Sequence, residues 1–384
     1  MEILISLLYF FHEFLDANLD LFYLLALVLI FKDFINSKKR NLEVIKYMYV
    51  IILYGCLQIV LNPDIILLRL IINLAKMYIN LFLFVYVKEM IFDLKFLRNI
   101  VYKTSFLFLL FIPISLVFKV PMLWRMNDFV NSYNQTRLKL FYYEPSELSF
   151  HAALVAVLLI SFLLLDNNAR EKRKIILYLI SNSLLIVLSA GMGGIVSLVL
   201  GIVTIYLYKL VKSFNIKRIL ISFLLFFVSV STLIYLMYSK NNFYLRVVDI
   251  FNGKDGSVVY RFNTSYEVMV QMLQKTNGLG VGFGNLNTDL TRSIYSAYGL
   301  VDVISNSFMY FIGEGGIISI VTLLFLLLFL LRRIKKEEGI LKYGLLVFIV
   351  IYQVAGGYYT NPVNWIVYGI ICNNYFMKTK GERL

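Results

Sequence analysis

The segment "FYYEPSELSFHAAL" carries Glu144, Glu147 and His151 at spacings of three and four residues. A helix opened by Pro145 therefore puts all three on one face. A carboxylate at the mouth of such a helix can take a proton from a hydroxyl, as can an imidazole, which makes Glu144 and His151 candidate catalytic residues. Each also has a plain structural account. Acidic side chains favour the positive end of a helix dipole, and a histidine inside an apolar helix can simply pack. Glu144 precedes a proline and is biased out of the helix, whereas Glu147 is committed to it.

Arginines supply the second kind of chemistry. Arg125, Arg137, Arg246, Arg261 and Arg292 lie in polar stretches together with Lys119, Lys139, Lys240, Lys254 and Lys275. Guanidinium groups pair bidentately with phosphate, so a phosphate-bearing substrate is a natural partner for some of them. Ordinary solvated loop charge is the competing account. Arg69 and Lys76, in "LLRLIINLAKMY", are different because they interrupt an apolar stretch. Ionisable groups there are expensive and by default functional, although Arg69 can also snorkel to an interface. Cys56 and Cys372 sit in separate apolar blocks, and neither an Asp-x-Asp pair nor a histidine cluster is visible in the sequence. No metal and no other cofactor is called for.

"GLGVGFGNL", from Gly278 to Leu286, looks like a nucleotide loop and is not one. The G-x-G-x-x-G frame fails at Asn285 or at Phe283, and no Gly-Lys-Ser/Thr follows. What remains is backbone: Asn277-Gly278 ends a helix-patterned stretch. Gly280 and Gly282 then permit positive φ and close approach of a ligand or another chain segment.

Elements must hold these residues, and composition says which kind. Of 384 residues, 60% are hydrophobic and 16% charged, with the apolar ones in long blocks. A soluble domain is about 45–50% apolar and about 25% charged. The reading is an all-α polytopic integral membrane protein, a single membrane domain over 1–384 with about 11–12 transmembrane helices. Spans are expected near 20–35, 44–61, 65–87, 99–120, 147–165, 175–189, 193–208, 219–238, 303–331, 340–358 and 363–377. The net charge of +14 does not indicate nucleic acid, because 25 of the 37 basic residues fall in the alternate segments 32–46, 88–103, 166–174, 209–218, 332–342 and 378–384. Those segments are expected to be cytoplasmic, with the C-terminus among them. Two long loops, 121–146 and 239–302, then face outward, the larger one carrying short helices. Residues 1–17 lack a signal peptide's basic start and form either a partial twelfth span or an interfacial helix.

In this setting the order of motifs resembles a family. Arg261, a helix, "NGLGVGFGNL", a variable stretch and "ISNSFMYFIGEGGIISI" resemble the O-antigen polymerase and ligase superfamily. Arg261, Gly278, Gly280, Gly282, Asn306, Glu314 and Gly316 fall on that pattern. "FYYEPSELSFHAAL" and "LSAGMGGIVSLVLG" resemble segments of the polymerases. Ser305-Asn306 stands where the ligases tend to have His-Asn, a departure that favours polymerase. The resemblance implies glycosyl transfer on the outer face of a bacterial cell membrane. An undecaprenyl-pyrophosphate-linked oligosaccharide would be the donor, and a sugar hydroxyl of another lipid-linked repeat unit the acceptor. Membrane lipids and a chain-length regulator are the further partners it suggests. The Arg residues at 69, 125, 137, 246, 261 and 292, with Gly280, Gly282 and Asn306, are then expected to bind diphosphate or sugar. A ligase-type transferase and a polysaccharide transporter or flippase remain as alternatives.

Overall fold

The computed structural model describes residues 2–14, 20–36, 39–126, 136–165, 168–212, 242–286, 304–334, 339–356 and 358–373. Arg292, Lys240, the expected span at 219–238 and parts of both long loops lie outside them. Helices α1 (Glu2–Phe11), α2 (Leu21–Ile35), α3 (Arg40–Leu61), α4 (Leu67–Glu89) and α5 (Leu94–Val117) come first. Two short strands follow, β1 (Trp124–Arg125) and β2 (Arg137–Leu138), paired antiparallel with Trp124 opposite Leu138. Then come α6 (Pro145–Leu165), α7 (Ala169–Ser189), α8 (Met192–Lys212), α9 (Asn242–Phe251), α10 (Ser265–Lys275), α11 (Ser307–Arg333), α12 (Gly339–Ala355) and α13 (Pro362–Cys372). Among the described residues the protein is otherwise helix and connection.

Among the described residues six helices, α3, α4, α5, α6, α8 and α11, are long and apolar enough to cross a membrane. Large apolar side chains such as Val50, Val60, Val199 and Phe325 stand exposed on α3, α8 and α11. Exposed apolar surface of that extent marks contact with something other than water, and lipid is the solvent it suits. α6 is the opposite case. It is apolar all round and buried on nearly every side, with α7, α8 and α12 packed against it, as expected of a central helix.

α1 settles its own length. Ten residues rise about 15 Å, half of a bilayer core of about 30 Å, so α1 does not cross. It lies along α5 instead. Ser6 Oγ donates to the Ile100 carbonyl at 3.1 Å, Glu2 pairs with Lys103 at 2.5 Å, and the Phe10 ring meets Phe108 and Phe111.

Several helices start on side-chain caps. Asp20, Asp93, Asn306 and Asn361 each accept a backbone N–H in the first turn of α2, α5, α11 and α13, satisfying donors a helix start leaves unpaired. The reversals following α1, α3 and α12 meet at one end of the bundle, together with the starts of α6 and α11. At the opposite end Arg40 pairs with Asp33 and Glu89, each at 3.0 Å, and Lys88 pairs with Glu43 at 2.6 Å.

Candidate active site

Where those reversals meet there is a cavity of about 490 Å³. Three of its walls matter for chemistry. Arg69 and Lys76 come from α4, Arg261 from the segment before α10, and Glu144 and Glu147 from the start of α6. Glu13 and Asp20 close the floor from the α1–α2 reversal, and Tyr358, Thr360 and Asn361 contribute the α12–α13 turn.

The cations reach the cavity for local reasons. Arg69, Asn73, Lys76 and Asn80 are spaced four, three and four residues apart and form one polar stripe on α4. The asparagines anchor the α12–α13 turn, Asn73 Nδ2 donating to Tyr359 Oη at 2.9 Å and Asn80 Nδ2 to the Thr360 carbonyl at 2.7 Å. Arg261 stands on a π-helical stretch, Tyr260–Thr264, between a short helical turn at Gly256–Val259 and α10. A π turn inserts a residue into the helix and is often found where a side chain is put to use. Burial pulls the Arg261 pKa down, and so does the nearby Arg246 cation, yet a guanidinium starts so high that it stays charged.

On the acidic wall, Glu144 is the more open carboxylate, its side chain 44% exposed, with Arg125 Nη1 at 3.7 Å and Ser146 Oγ donating to it at 3.1 Å. Glu147 is deeper and accepts from Tyr352 Oη at 2.5 Å. Both line the cavity, so commitment to the helix does not take Glu147 away from it. His151 lies one layer behind. It is 2% exposed, with Nε2 4.0 Å from Glu147 Oε2, and it is not part of the cavity wall.

The glycine segment answers to packing. α11 breaks at Gly316, where φ is 64° and ψ −150°. The chain from Gly278 to Gly282 lies against this break and takes up its loose backbone groups. Val281 N–H donates to the Gly313 carbonyl, Gly282 N–H to that of Glu314, and Ile317 N–H to that of Gly278, at 2.9–3.0 Å. Tyr54 and Gln58 of α3 donate to the Leu279 carbonyl from the other side at 2.6 and 2.8 Å. A Cβ at Gly280 would lie 2.4 Å from the Glu314 carbonyl oxygen, and one at Gly282 2.7 Å from Ile65. Gly280 and Gly282 therefore touch protein where the sequence suggested substrate; of this run it is Gly284 that reaches the cavity.

Other expected ligands are likewise engaged elsewhere. Asn306 is the cap of α11, accepting from Met309 N–H at 3.2 Å, while its neighbour Ser305 lines the cavity. Arg246 is buried, donating to Asp255 at 3.1 Å and to the Ala190 carbonyl at 3.2 Å. Arg137 Nε donates to the Ser189 carbonyl at 2.9 Å from β2. These two arginines tie the loops to the end of α7 and stand outside the cavity wall. Arg125 is not part of the wall and approaches it through Glu144. Among the aromatic residues of the first loop, Trp124, Phe141 and Tyr142 are buried and Tyr143 lines the cavity; Phe129 and Tyr133 lie outside the described residues.

Sequence reading gave no site role to several residues that shape the cavity, Glu314 among them although it falls on the family pattern. Glu13 and Asp20 were visible as acids too costly for a crossing, the one signal pointing to them. Glu314 is fully buried and accepts from Leu286 N–H at 3.2 Å and Tyr359 Oη at 2.5 Å, joining the glycine segment to the α12–α13 turn. Burial raises the Tyr359 pKa well above the ordinary phenol range, which keeps its hydroxyl a donor.

Deeper along α2, α6 and α13 lies an apolar cleft lined by Leu25, Leu29, Leu83, Phe96, Leu154 and Val367. It lies a turn below the cavity, since Phe22, Leu154 and Val363 line the cleft while Tyr23, Phe150 and Pro362 line the cavity. No family model matches the chain, and no curated protein matches it.

Proposed function

We propose that the protein is a membrane glycosyltransferase that joins lipid-linked oligosaccharide repeat units, a polymerase of surface polysaccharide. The observation that carries the reading is that Arg69, Lys76 and Arg261 line one cavity together with Glu144 and Glu147. Inverting transfer from a diphosphate needs that pairing. The acceptor hydroxyl attacks the anomeric carbon, the sugar–diphosphate bond breaks, and the hydroxyl proton passes to a base. Fixed cations stabilise the charge that develops on the departing diphosphate.

Glu144 is assigned the base. It is the more accessible carboxylate and its partner Arg125 is at long range, whereas Glu147 is held by Tyr352. The apolar cleft a turn deeper suits a polyprenyl tail, which has only apolar surface to offer. The resemblance of the motif order to the O-antigen polymerase and ligase superfamily supports the same reading. On this reading the cavity opens to the outer face and the basic end of the bundle is cytoplasmic.

A deletion strain complemented with wild type or Glu144→Gln tests it. Without the gene, the surface polysaccharide is expected to stop at one repeat unit on its anchor. Wild type restores the ladder, and Glu144→Gln restores it about 10²–10⁴-fold more slowly at normal expression. Full-length lipid-linked chains left unattached would instead mean a ligase. Repeat units trapped in the cytoplasm would mean a flippase. Either result overturns the assignment.

A further inference from the structure

Behind the acidic wall the structure joins the protein's two histidines. The rings of His12, just past α1, and His151, on α6, have centroids 4.6 Å apart, and both residues are buried. Each ring has one nitrogen engaged. His12 Nδ1 is 2.8 Å from Asp20 Oδ2, so it carries the proton and donates to the carboxylate. His151 Nδ1 is 2.9 Å from Tyr9 Oη, and that hydroxyl donates to the His151 carbonyl at 3.3 Å. With the Tyr9 proton on that carbonyl, the Tyr9 oxygen accepts from His151 Nδ1, and this is the tautomer that a metal on Nε2 selects. Both Nε2 atoms then offer lone pairs, and both are buried without a hydrogen-bond partner. With Glu13 the two histidines form a group in which one ring nitrogen of each histidine and a carboxylate oxygen lie within 4.8 Å of one another.

We propose that His12 Nε2, His151 Nε2 and Glu13 form a binding site for a divalent transition-metal cation, zinc by ligand chemistry. Two neutral imidazoles and a carboxylate are a common three-ligand zinc set with a fourth position open. Magnesium and calcium prefer oxygen ligands. The outer partners have the form such sites need. A carboxylate on the far nitrogen of one histidine and a hydroxyl on that of the other fix both tautomers and ring orientations. Tetrahedral zinc with bonds of about 2.0–2.1 Å sets its ligands about 3.3 Å apart, so a group spread over as much as 4.8 Å has to draw in by up to about 1.5 Å. Glu13 is placed for this by lying in the turn after α1 and lining the cavity, where it accepts from Tyr143 N–H at 3.2 Å.

Two further observations favour a cation. Glu147 Oε2 approaches His151 Nε2 to 4.0 Å from the cavity side, a second carboxylate within reach of the metal. Glu13, Asp20, Glu144 and Glu147 also line the one cavity, a gathering of carboxyl groups that a divalent ion would offset. The open position would face the cavity beside Glu147. Metal binding at this site does not depend on which substrate the cavity takes.

Metal content tests it without any assay of activity. Full-length protein in detergent, loaded with zinc chloride and desalted, is expected to retain about one zinc per chain by elemental analysis. Less than about a tenth of that would overturn the proposal, since a buried water would then suffice for the two nitrogens. His12→Gln and His151→Gln are expected to weaken zinc binding by more than about 100-fold. Asp20→Asn, which keeps the α2 cap and loses only the carboxylate behind His12, is expected to weaken it about 10- to 100-fold. Unchanged affinity in either histidine variant counts against the site. Cobalt loaded into the wild-type chain gives a check that needs no variant. Visible d–d absorption without a thiolate charge-transfer band supports these ligands; a thiolate band would assign the metal to Cys56 or Cys372 and overturn the proposal.

Discussion

Arg261 gains its place in the cavity from a single turn of π-helix. Its guanidinium is near-buried among Arg246, Glu144, Glu147 and Asp255, and Gly356 opposite has no side chain to crowd it. Lysine at this position keeps the charge and loses the planar fork. One charge-assisted hydrogen bond is worth about 1.5–3 kcal/mol, so Arg261→Lys is expected to slow polymer formation about 10- to 100-fold, with thermal stability unchanged. The measurement is ladder length against time at matched expression; a wild-type rate would reduce Arg261 to a loop charge. Arg137 and Arg246 belong to another class. They bond backbone carbonyls at the end of α7, a role the arginine-phosphate argument from sequence had no means to separate from diphosphate binding.

At the scale of elements, the joint between the glycine segment and α11 decides the shape of the site. A helix interrupted at Gly316 leaves carbonyl and amide groups unpaired, and inside a membrane such groups have no water to turn to. The Gly278–Gly282 run supplies the partners, which requires two backbones in direct contact. Gly280 has φ of 78° and no room for a methyl group beside the Glu314 carbonyl. Gly280→Ala is therefore expected to destabilise the protein by more than about 1 kcal/mol, and to move Glu314 and Ser305 with it. A lowered midpoint in detergent thermal unfolding, together with loss of the ladder, is the expected outcome. An unchanged midpoint would mean that the contact is looser than the structure describes. The α6–α8 contact works in the same way: Ser149 Oγ donates to the Gly191 carbonyl at 2.9 Å, and Gly194 lies against Ser149.

For the whole molecule the question is orientation. The cavity gathers at one end of the bundle, while the pairs of Arg40 and Lys88 mark the other. On the proposed reading, the excess of Lys and Arg in alternate segments makes that second end the cytoplasmic one. Lys254 is exposed at the cavity end, after α9. In a background with Cys56→Ala and Cys372→Ala, Lys254→Cys is expected to react with an impermeant maleimide in intact cells. Labelling only after the membrane is opened would invert the topology and remove the functional reading with it.

What the sequence determined by itself is what is local. Apolar blocks of span length separated by basic segments specify helices and their approximate ends, because hydropathy acts between near neighbours in the chain. The stripe of Arg69 and Lys76 was legible for the same reason: helical periodicity fixes which side chains share a face. Tertiary structure alone decided which residues meet. It set the glycine segment against the break in α11 and not against a ligand, spent Asn306 on a cap and Arg246 on Asp255, and brought His12 beside His151 across most of the first half of the chain. Contacts between residues far apart in sequence depend on how helix surfaces interlock, and a lipid-facing helix and a buried one are written in nearly the same apolar residues.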